Sequence, residues 1–225
     1  MWRDPTPPEW LALIAGLKPA LRLLRDPRRA RAEAAAAARR GFAVALHDLG
    51  DRTIVYVART PAAARALHAL EGQALPGPTP RDRFDPAPHR ALGAALGFPP
   101  CCVDAFVARI ARGADVTATG ARAHEDFIAA SEAAARSARL DARANVFAVD
   151  RTSGWLSHVP CAFDCAPSLA YADRVIAAVV AHDAAGAAVL RARLAAAVAI
   201  APDGTRAAPA AAPADACVLA FGDPA

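Results

Sequence analysis

Phe42-Ala43-Val44-Ala45-Leu46-His47-Asp48-Leu49-Gly50-Asp51-Arg52-Thr53-Ile54-Val55-Tyr56-Val57-Ala58 is the stretch that decides the fold class. Two β-prone runs, 42–47 and 53–58, flank the turn former Asp48-Leu49-Gly50-Asp51, and this reads as a β-hairpin. On its N-terminal side, Leu11, Ile14, Leu17, Leu21 and Leu24 recur at helical spacing after Pro7-Pro8. Asp26-Pro27 ends that pattern and starts an alanine-rich helix that stops at Gly41. On the C-terminal side, Thr60 is an N-cap, Pro61 fits the first helical position, and a helix runs to Gly72.

Residues 73–88 carry Pro76, Pro78, Pro80, Pro86 and Pro88, the composition of a linker. A short helix ending near Gly97 follows, then a helix from Pro100 and another over about 122–139. Residues 145–160 read as extended or irregular, and two further helices cover about 167–181 and 187–197. Val198-Ala199-Ile200, the turn Pro202-Asp203-Gly204 and the run 217–221 close the chain with strands. The expectation is an α+β fold, mostly helical, with one small antiparallel sheet made from the N-terminal hairpin and the C-terminal strands. Residues 1–72 then form the N-terminal helices, hairpin and helix, 73–88 the linker, and 89–225 a helical, cysteine-bearing region; a single domain is the alternative.

At 225 residues and 55% hydrophobic, the chain can bury a sizeable core, although much of that fraction is alanine. Low hydropathy with high net charge, the mark of disorder, is absent. Of 26 basic residues only Lys18 is lysine, leaving 25 arginines at a net charge of +4. Arg22, Arg25, Arg28, Arg29, Arg31, Arg39 and Arg40 cluster near the N-terminus. A solvated helix face accounts for them, and a protein partner is the functional alternative. No aromatic residues interleave with them, so a nucleic-acid partner is not expected. Leu11–Leu17 and Ala195–Ala201 are too short to cross a bilayer, and the N-terminal residues lack a secretory pattern. The expected location is therefore the cytoplasm, where thiols stay reduced and five cysteines point to metal binding or reactivity more than to disulfides.

Four of those cysteines lie in two segments, Gly97-Phe98-Pro99-Pro100-Cys101-Cys102-Val103-Asp104-Ala105-Phe106 and Ser157-His158-Val159-Pro160-Cys161-Ala162-Phe163-Asp164-Cys165. Pro100 suits the first turn of a helix, which puts Cys101 and Cys102 at its positive end, where a thiolate is favoured. Cys161 and Cys165 share one face if their segment is helical; if the helix starts at Pro167, Cys165 lies just before its positive end. His158 adds a nitrogen ligand or a base. Four thiols and an imidazole suit tetrahedral zinc or an iron–sulfur cluster, although neither two C-x2-C pairs nor a ferredoxin-type cysteine run is present. The bland reading makes the cysteines small core residues, and Cys217, in an apolar strand pattern, fits it best. Asp104 and Asp164 are candidate acceptors beside the thiols, and Trp155 a candidate cover. Dinucleotide, P-loop, serine-elbow and H-E-x-x-H motifs are absent.

The pairing of GFPPCCVDAF with the later SHVPCAFDC resembles prokaryotic proteins grouped as a domain of unknown function, family 483. The resemblance rests on Cys101, Cys102, His158, Pro160, Cys161 and Cys165, in the middle third of the chain. It implies only that the two segments belong together. Three functions remain open: a metal or iron–sulfur protein with Cys101, Cys102, His158, Cys161 and Cys165 around the metal, a metal-free thiol enzyme with a cysteine nucleophile and His158 as base, and an interaction module with core cysteines.

Overall fold

The computed structural model describes residues 7–74, 85–112, 121–148 and 154–221, and the side chains of 121–124 are not described. In chain order its elements are α1 (Pro8–Ile14), β1 (Ala20–Arg25), α2 (Pro27–Arg39), β2 (Ala43–Asp48), β3 (Thr53–Ala58), α3 (Pro61–Ala74), α4 (Pro86–Ala95) and α5 (Pro100–Ala111). They continue with α6 (Ala121–Arg136), a 3-10 turn (Ala142–Ala144), α7 (Ala166–His182), α8 (Ala184–Ala195), β4 (Val198–Ile200), β5 (Arg206–Ala207), a second 3-10 turn (Pro209–Ala211) and β6 (Cys217–Leu219). The fold is α+β and mostly helical. The chain divides into two compact units, one of Trp10–Pro100 and one from Cys101 onward together with Pro7–Glu9.

In the first unit an antiparallel sheet runs in the order β1-β3-β2. The hairpin closes through Leu49–Arg52, with Leu49 N donating to Arg52 O and Gly50 at φ +90°, where a Cβ would be strained. All six residues of β3 are buried, because helices cover both faces and alternate side chains enter different cores. Leu21, Leu23, Val55 and Val57 pack with Trp10, Leu13 and the alanines of α2. Ile54, Tyr56 and Ala58 pack with Ala64 and Leu67 of α3 and Leu92 and Leu96 at the end of α4. Asp26 caps α2 by accepting from Arg29 N, next to Pro27 at the helix start.

Residues 20–25 are a strand, not the continuation of the expected first helix. α1 stops at Ile14, Gly16 takes φ +76°, and Pro19 precedes the strand. Leu21 and Leu23 share one face while Arg22 faces the other, a two-residue period hidden by the helical spacing of the leucines. Arg22 and Arg25 are accordingly not on a basic helical face. Arg22 forms a bidentate pair with the buried Glu71, and Arg25 and Arg29 both bond Glu33. The Tyr56 hydroxyl also donates to Glu71. Burial alone would raise the Glu71 carboxyl, but the Arg22 and Tyr56 bonds reverse this and hold it below its usual range.

The C-terminal strands do not join the hairpin sheet, as the sequence led one to expect, but form their own three-stranded antiparallel sheet, order β5-β4-β6, in the second unit. Asn145, buried in this unit, donates to Leu194 O at the end of α8 and accepts from Phe147 N and Ala148 N, so its role is to hold a turn. Most of the expected 73–88 linker, including Pro76, Pro78 and Pro80, lies outside the described residues. Its ends are helical, since α3 runs to Ala74 and α4 begins at Pro86. Among the described residues no helix is long and apolar enough to cross a membrane.

Candidate metal centre

Two helix starts build the site. Pro100 opens α5 and places Cys101 and Cys102 in its first turn, while Cys165 is the N-cap of α7, followed by Ala166 and Pro167. Both helix ends present free N–H groups and the positive pole of the helix dipole, an environment that favours negative charge. Cys161 comes from the irregular segment ahead of α7. That segment is held by Phe163 N donating to Ser137 Oγ at 2.7 Å and by Asp164 Oδ2 accepting from Ala138 N at 2.8 Å. The Phe163 ring is fully buried, edge-on to Phe147 and Phe221.

The sulfurs of Cys101, Cys102, Cys161 and Cys165 all lie within 4.8 Å of one another. Cys101 Sγ is 3.6 Å from Cys165 Sγ and 4.0 Å from Cys102 Sγ, and Cys102 and Cys165 are 3.7 Å apart. Residues 64 positions apart in sequence therefore share one small volume. Cys102 and Cys165 are buried, Cys161 is half-buried, and Cys101 is exposed. Cys161 N donates to Cys102 Sγ at 3.3 Å, and Ser168 Oγ lies 3.3 Å from the same sulfur.

The four thiols do not ionise alike. Burial pushes Cys102 well up, against opposing contacts from Ser168 and the Cys161 N–H. Burial, with the neighbouring Cys165 and Cys101 thiols, pushes Cys161 up to about 12. Cys165 is drawn below its usual value: burial opposes ionisation, but the Ser168 hydroxyl and N–H and the Cys161 and Cys101 thiols outweigh it. Several thiolates this close repel one another, and a divalent cation among them reverses that preference. The donor set is compatible with a bound metal ion.

His158 stands outside the sulfur cluster. Its Nε2 meets Ser168 Oγ at 3.0 Å, so the imidazole reaches the thiols through a hydroxyl. Ser168, fully buried in the first turn of α7, escapes the sequence reading. The one signal for it is its place three residues after Cys165, on the same helix face as Leu169 and Ala172. Asp164 bonds the backbone of 138 and 139, not a thiol. Asp104 is exposed on α5, and Trp155 is buried and lines a cavity with Arg143, Asp173 and Leu194. Cys217 lies in β6, paired with Ile200 and apart from the cluster. His124 lies among the residues whose side chains are not described.

No family model, curated protein or solved structure matches this chain.

Proposed function

We propose that the chain is a zinc protein in which Cys101, Cys102, Cys161 and Cys165 hold a single ion, with Ser168 and His158 bonded behind the ligands. The observation that carries this reading is the spacing of the sulfurs. Zinc–thiolate bonds of about 2.3 Å in a tetrahedron put neighbouring sulfurs about 3.8 Å apart. The distances among Cys101, Cys102 and Cys165 fall at 3.6, 3.7 and 4.0 Å, and the Cys161 sulfur lies within 4.8 Å of each. An iron–sulfur cluster spreads its cysteines over different irons, which needs wider spacing than sulfurs sharing one ion. Four soft thiolates in a closed tetrahedron are the donor set of a structural zinc site.

The remaining contacts fit that assignment. Two helix N-termini face a centre that would carry a net charge of two minus, and a backbone N–H donates to Cys102 Sγ. The Cys102–Ser168–His158 chain is a hydrogen-bonded support that orients a ligand. The geometry disfavours a metal-free thiol enzyme, because the base such an enzyme needs would be His158, and its Nε2 meets a hydroxyl instead of a sulfur.

Elemental analysis of the anaerobically purified chain, beside a Cys161→Ala/Cys165→Ala variant, tests the proposal. One zinc per chain, lost in the variant, is the expected result. Iron in excess of one per chain with a broad visible band would overturn the single-ion site, and folded, metal-free protein would overturn metal binding altogether.

A further inference from the structure

We propose that Cys101 is the nucleophilic ligand of this site, and that its metal-bound thiolate accepts an alkyl group from a small soft electrophile arriving from solvent. This rests on the zinc reading and goes beyond it by giving the centre a modification chemistry and a substrate class.

The four sulfurs are not equivalent. Cys102 is buried and contacted by the Cys161 N–H and the Ser168 hydroxyl. Cys165 is buried, and the Ser168 hydroxyl and backbone N–H bear on it. Donors of this kind draw charge from a thiolate and blunt its nucleophilicity. Cys101 differs on both counts. It is the one exposed member of the set, and the partners recorded for its sulfur among the described residues are other sulfurs. Cys161 also has thiol neighbours, but it is half-buried. Exposure therefore ranks Cys101 first.

Metal coordination keeps a thiolate deprotonated at neutral pH, which is one way a protein activates a sulfur nucleophile. Around zinc, four thiolates leave a net charge of two minus, so the sulfurs remain electron-rich. In the step itself Cys101 Sγ supplies the electron pair of a new sulfur–carbon bond. The bond from that carbon to its leaving group breaks, and the leaving group departs with its electrons. No oxidant, reductant or proton donor is required. The product is a neutral thioether, a far poorer ligand than the thiolate it replaces, so the ion is left with three strong ligands and is held more weakly. Pro100 and Cys101, both exposed at the start of α5, give an electrophile access without displacing Phe163 or Ser168, both fully buried.

The test uses the zinc-loaded full chain with substoichiometric iodoacetamide at pH 6.5, where uncoordinated thiols are largely protonated. Peptide mass mapping locates the label, a chromogenic chelator reports released zinc, and Cys217 serves as the thiol outside the cluster. The expected result is label on Cys101 about 10-fold above Cys102, Cys161 and Cys165, with zinc release in step and iodide as leaving group. In a Cys101→Ala variant that still binds zinc, labelling of the other three should stay slow. Zinc-loaded protein labelled first on Cys161, or evenly on all four, overturns this inference and leaves the zinc reading intact. Protein that carries no zinc before iodoacetamide is added overturns both.

Discussion

Replacing Ser168 with alanine separates a supported metal ligand from a merely crowded cysteine. Ser168 Oγ sits fully buried between Cys102 Sγ at 3.3 Å and His158 Nε2 at 3.0 Å. With zinc bound, Cys102 is a thiolate, so the hydroxyl donates to a charged acceptor while His158 donates to the hydroxyl oxygen. A hydrogen bond to a charged group contributes about 1.5–3 kcal/mol, against about 0.5–1.5 kcal/mol for a neutral pair. At about 1.4 kcal/mol per decade, the charged value is a loss of roughly 10- to 100-fold in zinc affinity. The measured effect of removing partners behind metal ligands covers the same range. Without metal the bond joins neutral groups, so Ser168→Ala should lower metal-free stability by only about 1 kcal/mol. Competition with a chromogenic chelator measures the affinity, and urea unfolding of the metal-free chain measures the stability. An affinity within about threefold of the parent, in a variant that unfolds normally, would refute the claim that this hydroxyl supports Cys102.

Two further perturbations follow from the charges. Cys102 and Cys161 both hold their protons at neutral pH, so zinc must displace at least two protons on binding. Apparent affinity should then fall on the order of 100-fold per unit as pH drops from 8 to 6, and a slope below one proton would contradict the assignment. In the first unit, Glu71→Ala strands Arg22 and the Tyr56 hydroxyl. The cost should be about 3 kcal/mol, the low end for a buried pair because the Arg22 side chain keeps 29% exposure. Hydrogen exchange of the β3 amides reads it. Because the folded Glu71 carboxyl titrates below its unfolded value, its contribution is present at neutral pH and is lost as pH falls through the folded value in the acid range.

The hairpin was legible because both of its signals are local: β-prone runs and a Gly50 that supplies positive φ. β1 was not, since Leu17, Leu21 and Leu24 fit a 3.6-residue period and only the open edge of β3 turns Ala20–Arg25 into a strand. Partner choice among short strands is non-local for the same reason, and the C-terminal strands paired among themselves where a single sheet was expected. The thiol cluster was legible from chemistry, because prolines mark the two helix starts that hold Cys101, Cys102 and Cys165, while Cys161 lies in the irregular segment ahead of α7. What lay behind it was not. A serine in a helix's first turn has an ordinary local explanation, and His158 reads as a ligand or a base until Ser168 is found between it and Cys102.

The placement of the cluster bears on how one irregular segment of this unit is held. Ser157–Asp164 is irregular and mostly half-buried, so it has neither a helix nor a ladder to satisfy its backbone. Its polar anchors include Cys161 N on Cys102 Sγ, His158 Nε2 with Ser168 Oγ, Phe163 N on Ser137 Oγ, and Asp164 on the backbone of 138 and 139. The one fully buried large side chain in it is Phe163. Burying one phenylalanine contributes about 1.5–3 kcal/mol, while ordering eight residues costs about 1–2 kcal/mol each in backbone entropy alone. Apolar burial cannot hold the segment by itself. If Cys161 and Cys165 share an ion with the two thiols at the start of α5, as proposed above, that ion would supply a term of about 10 kcal/mol or more in holding this segment.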